Sequence, residues 1–236
     1  MTTGPAGGNG GEHEEPILIT PDMLAPRRPA KVSDGRVDFE RGMQRFPPLI
    51  IALIIINVAV FVWEVGGGHT NPLLAGALIR ERVLAGEWWR MITATFLHGS
   101  PDHLIGNMIA LFIVGMACEH AFGAARTAAI YLGSGLAGTA FSLATGPGPS
   151  VGASGAIFGV LMAVVVMLYR NQQYFFVRDK RIGFVLAAWA AWQLFVGFMN
   201  PFIDNFAHLG GMTGGAIAAL LLTPTLARRE QVVRIS

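Results

Sequence analysis

The chain has little charge and almost no cysteine. Only 14% of its 236 residues are charged, whereas soluble globular domains carry about 25%. Most of the chain is therefore not expected to be covered by water. The single cysteine, Cys118, cannot form an intrachain disulfide and is predicted to be a small buried apolar side chain. No basic stripe interleaved with aromatic residues is present, so nucleic acid is not an expected partner.

Two further features are lacking. No cleavable signal peptide is evident, because the first long apolar run begins only near Pro47. There is no internal repeat, and in particular no pair of matching broken helices of the kind found in many secondary transporters. The lack of an inverted repeat therefore disfavours a transporter of that type.

Apolar residues make up 53% of the chain and collect into six runs. These runs are residues Pro47–Val65, His103–Cys118, Thr127–Thr145, Ala153–Tyr169, Ile182–Phe198 and Phe206–Leu222. Each approaches the ~20 residues that a helix needs to cross hydrocarbon. In lipid the backbone must satisfy its own hydrogen bonds, which leaves helices as the realistic structure of such runs. We predict an all-α membrane protein with six transmembrane helices.

The basic residues are distributed unequally about these six runs. Of the 17 Lys and Arg residues, 14 precede the first run, follow the sixth, or lie in the second–third and fourth–fifth connections. Only Arg80, Arg82 and Arg90 fall on the opposite side. Because cytoplasmic loops carry the excess of Lys and Arg, both termini are predicted to be cytoplasmic.

Composition divides the chain into three parts. Residues 1–46 are rich in Gly, Pro and charge and are predicted to form a disordered cytoplasmic tail. Residues 47–222 form the predicted helical core, and residues 223–236 a short basic cytoplasmic tail. The longest outer connection, residues 66–102, contains Trp88 and Trp89, which suit the membrane–water boundary. We therefore expect this first loop to be partly embedded in the membrane.

Four polar side chains are predicted within the membrane, where such groups usually face the bundle interior and have a function. His103 and Asn107 are four residues apart and share one face of the second run. Ser154 begins the fourth run, and His208 lies early in the sixth. These three runs are all predicted to pass from outside to inside, so the four side chains are expected at one depth.

Glycines predict that the fourth and sixth helices pack closely. Gly155 and Gly159 follow Ser154, and Gly211 and Gly215 follow His208, each pair with the small-x-x-x-small spacing of tight helix contacts. If the two stripes face each other, the serine and the histidine approach hydrogen-bond distance. A neutral imidazole is the usual activator of a serine nucleophile.

An oxyanion site is also predicted. Ser154 follows a Pro/Gly turn, so it lies in the first turn of its helix, where backbone N–H groups are unpaired and the helix dipole is positive. Asn107 and His103 can donate hydrogen bonds from their side chains. One such donor in a low-dielectric site is worth about 3–4 kcal/mol.

Taken singly, each feature has another interpretation. The Gly-Ala-Ser-Gly cluster could serve packing alone, His103 with Asn107 could form an interhelical hydrogen bond, and a membrane histidine could bind a metal or relay protons. Their joint occurrence at one depth favours catalysis. A metal is disfavoured because the two histidines have no further obvious ligand beyond Asp102 or Asp204. Asp204 could alternatively orient the His208 imidazole as a third catalytic member.

Four motifs, in order between Pro47 and Leu222, resemble those of the rhomboid intramembrane serine proteases. "GASG", which begins at Gly152, resembles their Gly-x-Ser-Gly motif. "HLIGN" is similar to their His-x-x-x-Asn, and "AHLGGMTGG" to the Ala-His-x-x-Gly-x-x-x-Gly of their sixth helix. The connection "GEWWRMITATFLHGSPDHLIGNM" resembles their membrane-embedded first loop with its Trp-Arg pair.

The resemblance implies a role for each matching residue. Ser154 would be the nucleophile and His208 the general base, a dyad without a carboxylate. The oxyanion would be bound by His103, Asn107 and the Ser154 backbone N–H. The remaining matches have structural roles: packing at the site for Gly152 and the four stripe glycines, loop anchoring for Trp89 and Arg90, a structural loop histidine at His98, and bonding around the cytoplasmic turn for Glu119 with Arg126.

By the same resemblance, the protein is the six-helix bacterial form, located in the inner membrane. It would be a serine endopeptidase that cleaves single-span transmembrane proteins near the outer membrane boundary, with no cofactor and no metal. Its partners would be those substrates and the lipid bilayer. The alternative is a catalytically silent rhomboid-like protein that binds transmembrane helices in quality control or trafficking. Such members typically lack the serine or the histidine, and both are present here.

Overall fold

The structure, a computed structural model, describes residues 38–66, 72–145, 148–200 and 202–225. The predictions for residues 1–37 and 226–236 lie outside these residues. The described chain forms helices with these bounds: α1 Pro48–Gly66, α2 Pro72–Gly76, α3 Arg80–Leu84, α4 Arg90–Thr93, α5 Pro101–Phe122, α6 Ala124–Thr145, α7 Ser154–Arg170, α8 Val177–Met199 and α9 Asn205–Leu221. A 3₁₀ turn, Ala94–Phe96, follows α4.

The predicted helical class is confirmed. The six apolar runs correspond to α1, α5, α6, α7, α8 and α9. Within the described ranges, four helices are long and apolar enough to cross a membrane: Pro48–Gly66, Pro101–Phe122, Ala124–Thr145 and Asp179–Met199. α7 is apolar but shorter, with 17 residues. The fold is therefore an all-helical membrane bundle.

Among the helices that begin earlier than the hydropathy pattern predicts, α5 and α8 have polar groups that stabilise their first turns. α5 begins at Pro101 rather than His103, since the Ser100 hydroxyl accepts a hydrogen bond from the His103 N–H at 3.2 Å and proline suits the first helical position. α8 begins at Val177 rather than Ile182. Its first turn contains the buried Asp179, which accepts a hydrogen bond from the Phe39 N–H at 3.2 Å.

The packed structure begins before the predicted core. Phe39 is 2% exposed, and its ring makes edge-to-face contacts with His120 at 5.5 Å and Phe175 at 5.9 Å. It joins the end of α5 to the α7–α8 connection and to the first turn of α8. A single aromatic residue in a polar segment has no periodicity, so the sequence pattern alone did not indicate this contact.

The centre of the bundle is α7. Eleven of its 17 residues are buried, and it contacts α5, α6, α8 and α9. Its last residue, Arg170, donates hydrogen bonds to the carbonyls of Ala219 at 3.4 Å and Leu220 at 3.1 Å, in the last turn of α9. By contrast, only 17% of the apolar stretch of α1 and of α8 is buried, and the apolar outer faces of these two helices suit lipid. Cys118 is fully buried, as predicted.

Glu119 has a different partner from the one expected. Its two carboxylate oxygens accept hydrogen bonds from the Leu49 and Ile50 backbone N–H groups at 3.2 and 3.1 Å. The expected contact with Arg126 is absent from the hydrogen bonds and ion pairs of the described residues. The first N–H groups of a helix lack intrahelical acceptors, so the carboxylate caps α1 instead of pairing across the turn.

Arg90 anchors the loop between α1 and α5. Its guanidinium is 2% exposed and donates to the Leu74 carbonyl at 2.9 Å, the Ala77 carbonyl at 2.8 Å and Glu87 Oε2 at 2.6 Å. The hydrogen bond between Arg90 and Glu87 is the main cause that holds the pKa of the Glu87 carboxyl below its ordinary value. One buried side chain thus ties α2, the turn after it and α4 together.

We expect Arg90→Ala to lower the melting temperature by about 5–10 °C. Each carbonyl left without a donor costs about 1–3 kcal/mol, and 1 kcal/mol shifts the melting temperature of a chain of this size by about 2–4 °C. Thermal unfolding in detergent measures the change. Arg82→Ala is the matched control, because Arg82 bonds the same Glu87 at 3.3 Å from a largely exposed position. Equal shifts for the two variants would show that the buried anchor is unimportant.

Candidate active site

Ser154 and His208 are in hydrogen-bond contact. Ser154 Oγ lies 2.9 Å from His208 Nε2. Ser154 is the first residue of α7 and is half-buried, while His208 is in the first turns of α9 and is 7% exposed. Residues 54 positions apart in the chain therefore meet because α7 and α9 begin side by side.

The glycine stripes of α7 and α9 face each other. A Cβ atom added at Gly211 would collide with the carbonyl oxygen of Gly155, and one at Gly215 with that of Gly159. A Cβ at Gly155 would lie 3.1 Å from the Ala207 carbonyl oxygen. Only glycine allows this backbone-to-backbone approach, which brings the Ser154 hydroxyl to the His208 ring.

His103 and Asn107 lie beside the turn that precedes Ser154. A Cβ atom at Gly152 would be 2.8 Å from His103 Nε2 and 3.5 Å from Asn107 Nδ2. Gly152 also has a φ of +127°, which side-chain-bearing residues rarely adopt. Asn107 is buried, and its Nδ2 has no hydrogen-bond partner among the described residues. A buried, unpaired donor is uncommon and suits a site that receives an acceptor.

The start of α7 offers a further donor. Ala153, the N-cap residue, makes no side-chain capping hydrogen bond. The first N–H groups of α7, including that of Ser154, therefore belong to the set that a helix leaves without intrahelical acceptors. The His103, Asn107 and Ser154 donors are grouped near the N-terminal ends of α5 and α7.

Sequence reasoning missed Phe158. Its ring stacks on the His208 imidazole, with centroids 4.3 Å apart and planes at 25°. The Phe158 ring also stacks with that of Trp189 in α8, with centroids 6.1 Å apart and planes at 14°. Phe158 is four residues after Ser154, hence on the same face of α7, and this spacing was the one available signal.

Among the described residues, Asp204 makes no hydrogen bond to the His208 imidazole. It is the N-cap residue of α9, with Oδ1 accepting from the Ala207 N–H at 2.9 Å and Oδ2 accepting from Ser142 Oγ at 2.5 Å. His208 Nδ1 is buried and has no hydrogen-bond partner among the described residues. The interpretation of Asp204 as a third catalytic member therefore lacks the required hydrogen bond.

The remaining predicted residues lie in the loop before α5. Trp89 is exposed beside the buried Arg90. His98 is 1% exposed, its ring packs edge-to-face on His103 at 5.2 Å, and its backbone N–H donates to Glu64 Oε2 at 2.9 Å. Burial and the adjacent His103 lower the pKa of His98 to about 4. A neutral buried ring thus supports His103, and the backbone bond ties the loop to α1.

No group of three or more His, Cys, Asp or Glu side chains within the described ranges is arranged to hold a metal ion. The bundle and its paired side chains define a helical membrane protein with a serine and a histidine in contact at the ends of two glycine-packed helices. Comparison with known sequences then places it in a family.

The Rhomboid domain family profile matches residues 85–225. The chain is 40% identical over 187 residues to Rhomboid protease GluP of Bacillus subtilis, covering 78% of this chain and 36% of GluP. It is 31% identical over 205 residues to Rhomboid protease AarA of Providencia stuartii, covering 73% and 71% of the two chains. RHOMBOID-like protein 5 of Arabidopsis thaliana is 41% identical over 161 residues, covering 66% and 51%.

The chain belongs to the rhomboid family, and two of these relatives carry the name protease. It is therefore a multi-pass membrane protein of a family of intramembrane proteases. It spans about a third of GluP and half of RHOMBOID-like protein 5.

Proposed function

We propose that this protein is an intramembrane serine endopeptidase that cleaves single-span transmembrane proteins near the outer membrane boundary. The observation that carries the proposal is the 2.9 Å contact between Ser154 Oγ and His208 Nε2 inside a helical membrane bundle. A serine hydroxyl needs an adjacent base to act as a nucleophile. Membership of a family with named proteases supports the same activity.

In the proposed reaction, Ser154 Oγ attacks the scissile carbonyl while His208 Nε2 takes the hydroxyl proton. The imidazolium then gives that proton to the leaving amine, and the peptide bond breaks to leave an acyl-enzyme on Ser154. Water, deprotonated by the same imidazole, hydrolyses the ester and restores the serine. The nucleophile and the base are both side chains, so the proposed reaction needs no metal or organic cofactor.

The oxyanion of each tetrahedral intermediate would be bound by His103, Asn107 and the Ser154 backbone N–H. The unpaired, buried Asn107 Nδ2 beside Gly152 supports this assignment. Donors held rigidly at the developing charge lower the barrier without reorganisation, and loss of one such donor costs about 100–1,000-fold in kcat.

We also propose six membrane spans in residues 47–222, with residues 1–46 and 223–236 on the cytoplasmic side of a bacterial inner membrane. α7 and α9, the two shorter spans, would run through the bundle centre, where α7 is mostly buried. Seventeen residues extend about 25 Å, close to the ~30 Å hydrocarbon core. Short central helices would place Ser154 and His208 below the outer surface. The distribution of Lys and Arg supports the orientation.

Proteoliposomes that contain the protein and a single-span substrate, labelled at both ends, test the proposed function. We expect two fragments, whose junction, mapped by mass spectrometry, lies within or at the edge of the substrate's apolar segment. Helix-breaking residues near the junction should increase the rate, because a helix must unwind to expose its carbonyl. A substrate that binds but remains uncut, or cuts confined to its soluble domains, would contradict the proposal.

A further inference from the structure

The first turn of α9 is held to α6 by a short polar chain. Ser142, 3% exposed in the last turn of α6, donates its hydroxyl hydrogen to Asp204 Oδ2 at 2.5 Å. Asp204 Oδ1 accepts from the Ala207 N–H at 2.9 Å, and the Asp204 carbonyl accepts from the His208 N–H at 3.3 Å. His208 thus lies one turn from a cap residue that is tied to another helix.

α6 and α9 also approach closely next to the bond between Ser142 and Asp204. A Cβ atom at Gly138, four residues before Ser142 on α6, would lie 2.7 Å from the Ala207 carbonyl oxygen. The residue before His208 therefore packs directly on the α6 backbone. α9 is confined on one side by the glycines of α7 and on the other by α6.

Glycine contacts of this kind limit how far apart two helices are, but they contain no directional bond to stop one helix from turning or sliding against the other. The bond from Ser142 to Asp204 is directional. It restricts the rotation and the height of the first turn of α9, and with them the direction in which the His208 ring points.

We propose that Asp204 is a positioning residue, which together with Ser142 aligns His208 with Ser154. The inference rests on the proposed function. In it Asp204 acts as a hydrogen-bond acceptor for the Ala207 N–H and the Ser142 hydroxyl, and its negative charge is not needed by the imidazole.

The test compares Asp204→Asn with Asp204→Ala in kcat, in KM and in the rate at which a fluorophosphonate labels Ser154. Asparagine keeps an acceptor for the Ala207 N–H and is as good an N-cap as aspartate, and its amide can donate to the Ser142 oxygen. We expect Asp204→Asn to stay within about threefold of the original kcat. Asp204→Ala should lose about 10- to 100-fold in kcat and in labelling rate with KM nearly unchanged, since small misplacements of reacting groups cost about 100-fold.

Ser142→Ala removes the other half of the bond and is expected to lower the labelling rate about three- to tenfold. Its matched control is Thr145→Ala, since the one bond of the Thr145 hydroxyl among the described residues lies within α6, to the Phe141 carbonyl at 2.7 Å. All rates are measured below the melting temperature of the least stable variant. Nitrogen NMR of the His208 ring in Asp204→Ala gives a second readout, where we expect altered Nε2 hydrogen bonding.

Normal kcat and an unchanged His208 spectrum in Asp204→Ala would overturn the inference. A loss in Asp204→Asn as large as in Asp204→Ala would also overturn it, because the carboxylate charge would then be essential. If the original protein shows no Ser154-dependent labelling at all, the proposed function fails, and this inference fails with it. Failure of the positioning role alone leaves Ser154 labelling intact in the original protein.

Discussion

Ser154→Ala and His208→Ala are each expected to lower the rate of substrate cleavage at least about a thousandfold. The serine provides the atom that forms the acyl-enzyme, and the histidine accepts and returns the proton. The effects of substituting residues that act as a unit are not additive, so the double variant should be no slower than either single variant. Both substitutions make a side chain smaller at the end of a helix, and the fold should persist.

Cleavage of one substrate by the four proteins, reconstituted at equal density, measures this effect. Ser150→Ala is the matched control, because Ser150 precedes Ser154 by four residues and pairs with Leu78 through backbone atoms. It should retain nearly full activity. Cleavage by a folded Ser154→Ala protein at the original rate would mean that the nucleophile lies elsewhere.

Gly211→Ala is expected to lower the cleavage rate at least about 100-fold and to destabilise the protein. The added methyl group would meet the carbonyl oxygen of Gly155, a backbone atom that no rotamer change can move away. Overpacking of this kind costs about 1–3 kcal/mol or more. Relief requires α7 and α9 to separate, which lengthens the contact between Ser154 and His208, and a 1 Å misplacement can cost about 100-fold in rate.

Gly133→Ala on α6 and Gly106→Ala on α5 are the matched controls, since a Cβ atom at either position would have no neighbour within 4 Å. Alanine has the higher helix propensity, so both variants should be as stable as the original protein or slightly more so. Thermal unfolding and labelling rates are compared for the three variants. Equal activities for Gly211→Ala and Gly133→Ala would refute the role of the stripe in assembling the dyad.

The meeting of Ser154 and His208 could be predicted from local features. The Pro/Gly turn indicated where α7 begins, and the two small-x-x-x-small stripes indicated which faces of α7 and α9 approach each other. Regular spacing carries that information, because a helix repeats its faces every three to four residues.

Contacts between isolated residues could not be predicted. Nothing in the spacing of Ser142 and Asp204 indicates that their side chains bond, since they are 62 positions apart and belong to different helices. The packing of Phe39 could not be predicted for a similar reason, since Phe39 is a single aromatic residue in a polar segment. The resemblance implied a bond between Glu119 and Arg126, whereas the structure pairs the Glu119 carboxylate with two backbone N–H groups of α1. The choice between these donors depends on which groups are buried together, which becomes visible only in the folded chain.

The central claim is that Ser154 is a nucleophile activated by His208. The most direct test is the intact mass of the protein after reaction with a fluorophosphonate, followed by mapping of the modified peptide. We predict one adduct per chain, on Ser154, in the original protein, and none in Ser154→Ala or His208→Ala over the same time. An original protein that gains no adduct, or an adduct that persists after loss of Ser154, would contradict the claim.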